Sequence, residues 1–101
     1  MNIVKRFTQE VWDFYGPNGI DPQYFDFGLT IDQVEDAVIL VYDYFRNHDI
    51  EFDEGSYERI VILDVMIQLY VYDGLPPGTI EYVLGLDPYA EFINDIVKWA
   101  Y

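Results

Sequence analysis

Residues 60–71 are apolar except at Asp64 and Gln68. Four residues apart, these two share one narrow stripe if the segment is helical, and every other direction is then apolar. Such a helix has to be wrapped by other elements, so the pattern predicts a buried central helix within residues 56–74. Ser56 can cap its start, Glu58 falls in the first turn where the helix dipole favours a carboxylate, and Gly74 with Pro76 and Pro77 can stop it. The β-branched residues Ile60, Val61, Ile62, Val65, Ile67 and Val71 and the two-residue alternation over 68–73 leave a strand open as the alternative.

The flanking pattern is also helical. In residues 2–15, Ile3, Val4, Phe7, Val11 and Phe14, joined by Trp12, recur at helical spacing, and Gly16 and Pro17 end the run. Residues 16–29 are rich in turn formers and read as a loop, yet Ile20, Tyr24, Phe25, Phe27 and Leu29 give it apolar surface to pack on the body. Thr30 and Gln33 then form a capping box opening a helix whose buried stripe is Ile31, Val34, Val38, Val41 and Phe45. Its polar side carries Asp32, Glu35, Asp36 and Asp43, with Asp32, Asp36 and Asp43 on one face. Arg46, Asn47 and His48 suit its C-terminal dipole.

Beyond it, Asp49, Glu51 and Asp53 alternate with Ile50 and Phe52, the pattern of an edge strand or extended loop with its carboxylates in water. Thr79 can start a short turn through Leu84. Asp87 and Pro88 make an N-cap and N1 pair for a last helix to residue 101, with Tyr89, Phe92, Ile93, Ile96, Val97 and Ala100 inward. Trp99 and Tyr101 fall outside that stripe, and large aromatics exposed on a terminal helix would suit a homodimer contact. The expected fold is all-α, one domain over 1–101 with four or five helices around the central one. Its alternative is α+β with a small antiparallel sheet.

Composition changes this picture through charge. With 51% hydrophobic residues a chain of 101 can bury one core, but 19 acids against 5 Lys and Arg give a net charge of −14. Small soluble domains ordinarily carry a net charge of about 2 to 8 in magnitude, because like charges repel across a compact body. A domain of this length is roughly 30 to 35 Å wide. Duplex DNA presents about 18 to 20 phosphates over that span, a comparable density. The bland explanation is solubility alone. The absence of cysteine points to a reducing compartment, the cytoplasm, and excludes disulfides and thiolate metal sites. Gln9, Glu10 and Asp13 break the N-terminal apolar run, unlike a signal peptide, and the central segment is too short and interrupted to span a bilayer. No membrane partner is expected.

Catalytic chemistry finds little to work with. His48 is the only histidine and Ser56 the only serine, so a nucleophilic triad or a His-based zinc site lacks partners and the chain is expected not to be an enzyme. Asp49, Glu51 and Asp53 match the first three ligand positions of a calcium loop, but the sixth position is Glu54 and the twelfth Ile60, which does not fit. No metal or cofactor is expected. Acids are concentrated between Asp32 and Asp64, where Asp32, Glu35, Asp36, Asp43, Asp49, Glu51, Asp53, Glu54, Glu58 and Asp64 face only Arg46 and Arg59. On a helix, Asp32 and Asp36 are about 6 Å apart along the axis, near the phosphate spacing of one DNA strand. Tyrosines set among these acids, Tyr42, Tyr44, Tyr57 and Tyr72, suit a protein-binding face, since their rings supply stiff contact area while carboxylates meet Arg and Lys.

A small, cysteine-free, strongly acidic helical chain with acids interleaved with Tyr and Phe, including the stretch IEFDEG at 50–55, resembles phage-encoded DNA-mimic inhibitors, the anti-restriction proteins of the Ocr kind and several anti-CRISPR proteins. The likeness is one of composition and carries no residue over individually. It implies a phage protein in the host cytoplasm that inhibits a restriction or CRISPR type enzyme by occupying its DNA-binding site, with a basic DNA-binding protein or nuclease as partner and no direct nucleic acid binding. The expected partner-binding residues are Asp32, Glu35, Asp36, Asp43, Asp49, Glu51, Asp53, Glu54, Glu58, Tyr42, Tyr44 and Tyr57. The alternative is an immunity or antitoxin protein that neutralises one cognate nuclease toxin.

Overall fold

The structure, a computed structural model, describes residues 2–71 and 90–99 and, within these, every side chain except those of Phe25, Asp26, Ala90 and Glu91. Its elements are α1 (Ile3–Tyr15), α2 (Gln23–Phe27), α3 (Ile31–Asn47), α4 (Ser56–Met66), which runs on into one π-helical turn (Ile67–Val71), and α5 (Ala90–Trp99). Among the described residues there is no strand, and the fold is all-α. The stop at residues 74–77, the turn from Thr79 and the Asp87–Pro88 cap lie outside the described residues, as do Tyr72 and Tyr101.

Local chemistry sets the helix starts. Asn2 Oδ1 accepts from the Val4 N–H at 2.8 Å and caps α1. Thr30 and Gln33 form the capping box read from the sequence, Thr30 Oγ1 accepting from the Gln33 N–H and Gln33 Oε1 from the Thr30 N–H. For α4 the cap is Gly55 rather than Ser56. Glu58 reaches back to accept from the Gly55 N–H at 2.8 Å, which fixes the start one residue earlier than the serine suggested. The segment read as a loop contains α2, which ends where Gly28 turns into the left-handed region at φ 70° and donates to the Tyr24 carbonyl.

Packing follows the apolar stripes with some exchanges. Phe7 and Val11 of α1, Val34, Val38, Val41 and Phe45 of α3, Ile62, Val65 and Met66 of α4, and Ile93 and Ile96 of α5 are all buried together. Each such side chain contributes about 1.5 to 3 kcal/mol by leaving water. Tyr15, Ala37 and Tyr44 join this core although the sequence reading left them out, while Ile31 is exposed and Ile20, expected to pack, is 82% exposed. The chief contacts of α3 are with α1, α4 and α5, and those of α4 are with α3 and α5. Thus α4 is the most apolar element, but α3 is the one against which the others are assembled. Every residue from Val61 to Gln68 is buried, the two polar ones included.

The acidic face of α3 and the segment that follows it

Asp32, Asp36 and Asp43 are exposed on α3 and Glu35 is half-buried. At 100° per residue the three aspartates fall within about 40° of one another, and a rise of 1.5 Å per residue spaces them about 6 and 10 Å apart along the axis. Ile39 lies in the same stripe and is 40% exposed, so the ridge has one apolar point. Among the described residues no cation bonds to any of these four carboxylates. The three arginines are engaged elsewhere: Arg6 pairs with Glu54, the Arg46 guanidinium lies over the Tyr42 ring and that of Arg59 over Phe14.

The chain then turns at His48 and Asp49. The Ile50 N–H donates to the Phe45 carbonyl at 2.8 Å and the Asp49 N–H to Arg46, the double bond of a Schellman ending. This ending needs a left-handed residue, and Asp49 supplies it at φ 55°. Glycine is the usual occupant, because any side chain costs about 1 kcal/mol or more there. Glu54 also sits at φ 55°. Two carboxylates therefore bracket a segment whose backbone would be easier with glycine.

Between them the alternation is realised without a strand. Asp49, Glu51 and Asp53 are exposed, while Ile50 and Phe52 turn inward. Phe52 packs edge-on against Phe7, Tyr42 and Phe45 at centroid distances of 5.2, 5.4 and 5.5 Å. Arg6 clamps Glu54 through both carboxylate oxygens, and Glu58 accepts from the Asp53 N–H. The segment is pinned to α1, α3 and α4, so its three outward carboxylates are held on a fixed backbone.

Two members of the expected set have other work. Glu58 is 3% exposed, its carboxylate taken up by the N–H groups of Gly55 and Asp53, so it holds the segment rather than facing a partner. Tyr44 is 7% exposed, stacked on His48 at 3.9 Å and edge-on to Trp99 and Phe92. Burial raises the affinity of its phenol for the proton, with Asp95 of α5 adding to it. Tyr42 is half-buried against Phe52, and Tyr57 is 41% exposed with its ring stacked toward Phe92. Glu54 is tied to Arg6. Asp95, which the sequence reading passed over, is exposed close to Tyr44; its place on the outer side of α5 was legible, its nearness to α3 was not.

Other site chemistry is sparse. Among the described residues no group of three or more His, Asp or Glu side chains is placed to hold a metal ion. No described helix is long and apolar enough to cross a membrane. Comparison with known proteins finds no family model, curated sequence or solved structure that matches this chain.

Proposed function

We propose that this chain is an acidic DNA mimic that inhibits a nucleic-acid-binding enzyme, of the restriction or CRISPR effector type, by occupying its DNA-binding site. The observation that carries this reading is the set of exposed carboxylates Asp32, Asp36 and Asp43 on one face of α3, with half-buried Glu35, followed along the chain by exposed Asp49, Glu51 and Asp53, none with a bonded cation among the described residues. A basic groove that binds phosphates through Lys and Arg would meet the same charges at similar intervals. The left-handed Asp49 and Glu54 favour the same reading, because strain retained at particular residues clusters where a side chain is needed. No covalent chemistry is required of the chain. Its affinity rests on charge pairing, so association is fast and falls steeply with salt.

The test is competition with duplex DNA for several basic DNA-binding enzymes, followed across a salt series. Asp32→Asn, Asp36→Asn and Asp43→Asn combined should weaken binding at low salt and flatten the slope of log affinity against log salt. An unchanged slope, or tight binding to one nuclease that salt does not touch, sinks the mimic. The second outcome points to the immunity-protein reading, which has its own support: Trp99, edge-on to Tyr44, and Tyr57, stacked toward Phe92, are 43% and 41% exposed. Half-exposed aromatic anchors of that kind serve desolvated protein interfaces more than polyanion mimicry.

A further inference from the structure

The middle of α4 breaks several local rules at one place. Asp64 is 3% exposed and Gln68 4%, and among the described residues neither Asp64 Oδ2 nor Gln68 Oε1 has a hydrogen-bond partner. Buried polar atoms are ordinarily paired, and each orphan is costly. Immediately after Met66 the helix widens into the π turn of Ile67–Val71, a distortion that recurs at functional sites. Ile60, one turn before Asp64, is 40% exposed. Ile60, Asp64 and Ile67, the first residue of the π turn, line a groove of about 410 Å³ between α2 and α4 together with Phe27 and Leu63, and Tyr15, Gln23 and the exposed Asp21 complete its lining.

The groove therefore sets aliphatic side chains beside Asp64, a carboxylate with an oxygen that lacks a donor among the described residues. Arg59, on the same helix, does not bond to that oxygen: its guanidinium lies over the Phe14 ring and donates to Ser56 Oγ, and its own Nε has no partner among the described residues. We propose that this groove receives a lysine or arginine side chain of a basic protein partner, the alkyl stem lying along Ile60, Leu63 and Ile67 and the cationic head donating to Asp64. A long basic side chain is apolar along its stem and charged at its tip, which matches the aliphatic side chains and the carboxylate that the groove sets side by side. The −14 charge of the chain attracts such a group, and Asp21 adds a second carboxylate nearby. The inference rests on the reading that the partner is a basic protein, and it adds an anchoring pocket on elements other than the α3 ridge.

Burial pushes the Asp64 carboxyl up to about 7. The charged and titratable groups around it are Tyr15 at the end of α1, Asp21 in the α1–α2 connection and Arg59 on its own helix; the Tyr15 phenol senses all three acids and bases. A cation bound in the groove favours the ionised form, so binding releases a proton and strengthens by roughly tenfold between about pH 6 and pH 8.

The experiment is a methyl NMR titration of the whole chain with butylammonium and with butylguanidinium, against sodium chloride and n-butanol as controls. The expected result is saturable shifts at Ile60, Leu63 and Ile67 in the millimolar range for at least one cation. Asp64→Asn should weaken it roughly 10- to 100-fold, as should loss of a charge-assisted hydrogen bond generally. Ile60→Ala, a change at a half-exposed site, should weaken it while the spectrum stays folded. Equal binding of n-butanol, an unaffected Asp64→Asn variant, or shifts confined to Ile39 in the acidic stripe of α3 overturns the proposal. No partner protein is present in the titration, so its failure removes the groove without touching the acidic-face reading, which stands or falls by its own salt series.

Discussion

The acids of α3 and those of α4 are the same residue types put to opposite uses. On α3, Asp32, Asp36 and Asp43 stand in water with no cation bonded to them, and the helix tolerates them because solvent screens their repulsion. On α4, Glu58 and Asp64 are both 3% exposed. Glu58 is satisfied by two backbone N–H groups, whereas Asp64 keeps an oxygen with no partner among the described residues. The difference teaches that the net charge of a chain is a sum over groups with unlike roles. Seven carboxylates in water make a surface; one carboxylate out of water makes a demand for a donor.

Asp64 offers the largest way to break that comparison. Its folded-state carboxyl, at about 7, binds the proton more tightly than that of the unfolded chain, near 4. Below about pH 4 both states hold the proton and there is no cost; between about pH 4 and pH 7 the unfolded chain releases it first, so stability falls as pH rises; above that the cost is complete. Asp64→Asn should therefore stabilise the protein at pH 8 by an amount on the order of 2 to 4 kcal/mol and have little effect at pH 4, read by urea denaturation at both pH values. A variant whose gain is equal at the two would mean that Asp64 is not desolvated as its surroundings imply.

Glu58→Ala should act in the other direction. It strands the Gly55 and Asp53 N–H groups and should cost about 2 to 3 kcal/mol, with Glu58→Gln recovering part through its remaining acceptor oxygen. Amide exchange at Asp53 and Gly55 should accelerate together; protection that survives Glu58→Ala would place the cap elsewhere. Asp49→Gly sharpens the contrast between stability and surface. Relief of the left-handed backbone should stabilise by about 0.5 to 1 kcal/mol while removing one charge of the ridge, so a thermal melt should rise as partner binding falls. The smallest stability effect belongs to the α3 ridge itself. Asp32→Asn, Asp36→Asn and Asp43→Asn should each stay within about 0.5 kcal/mol in denaturation, even where together they flatten the salt dependence of binding.

Much of this arrangement could be read along the chain. The capping box of Thr30 and Gln33, the inward positions of α3 from Val34 to Phe45 and the placing of Asp32, Asp36 and Asp43 on one face follow from short-range geometry, because bonds three or four residues apart need no distant partner. The polarity of Asp64 and Gln68 inside an apolar run was equally visible, and it was the one signal that something unusual occurs in α4. What the sequence left open was whether the oxygens of Asp64 and Gln68 would find donors. It also could not tell that Glu58 would fold back rather than face solvent, or that Tyr44 would be covered by Phe92 and Trp99.

By itself, then, the sequence determined the four longer helices, the capping box of α3 and the number of charges, since each depends on neighbours within one turn or on a simple count, while it missed α2 and put the cap of α4 one residue late. Only the tertiary structure decided which carboxylates remain in water and which are enclosed. That depends on how α2 meets α4 and how Phe52 seats between α1 and α3. The physical reason is that solvation of a charge is a property of everything within a few ångströms of it, and those neighbours come from far away along the chain.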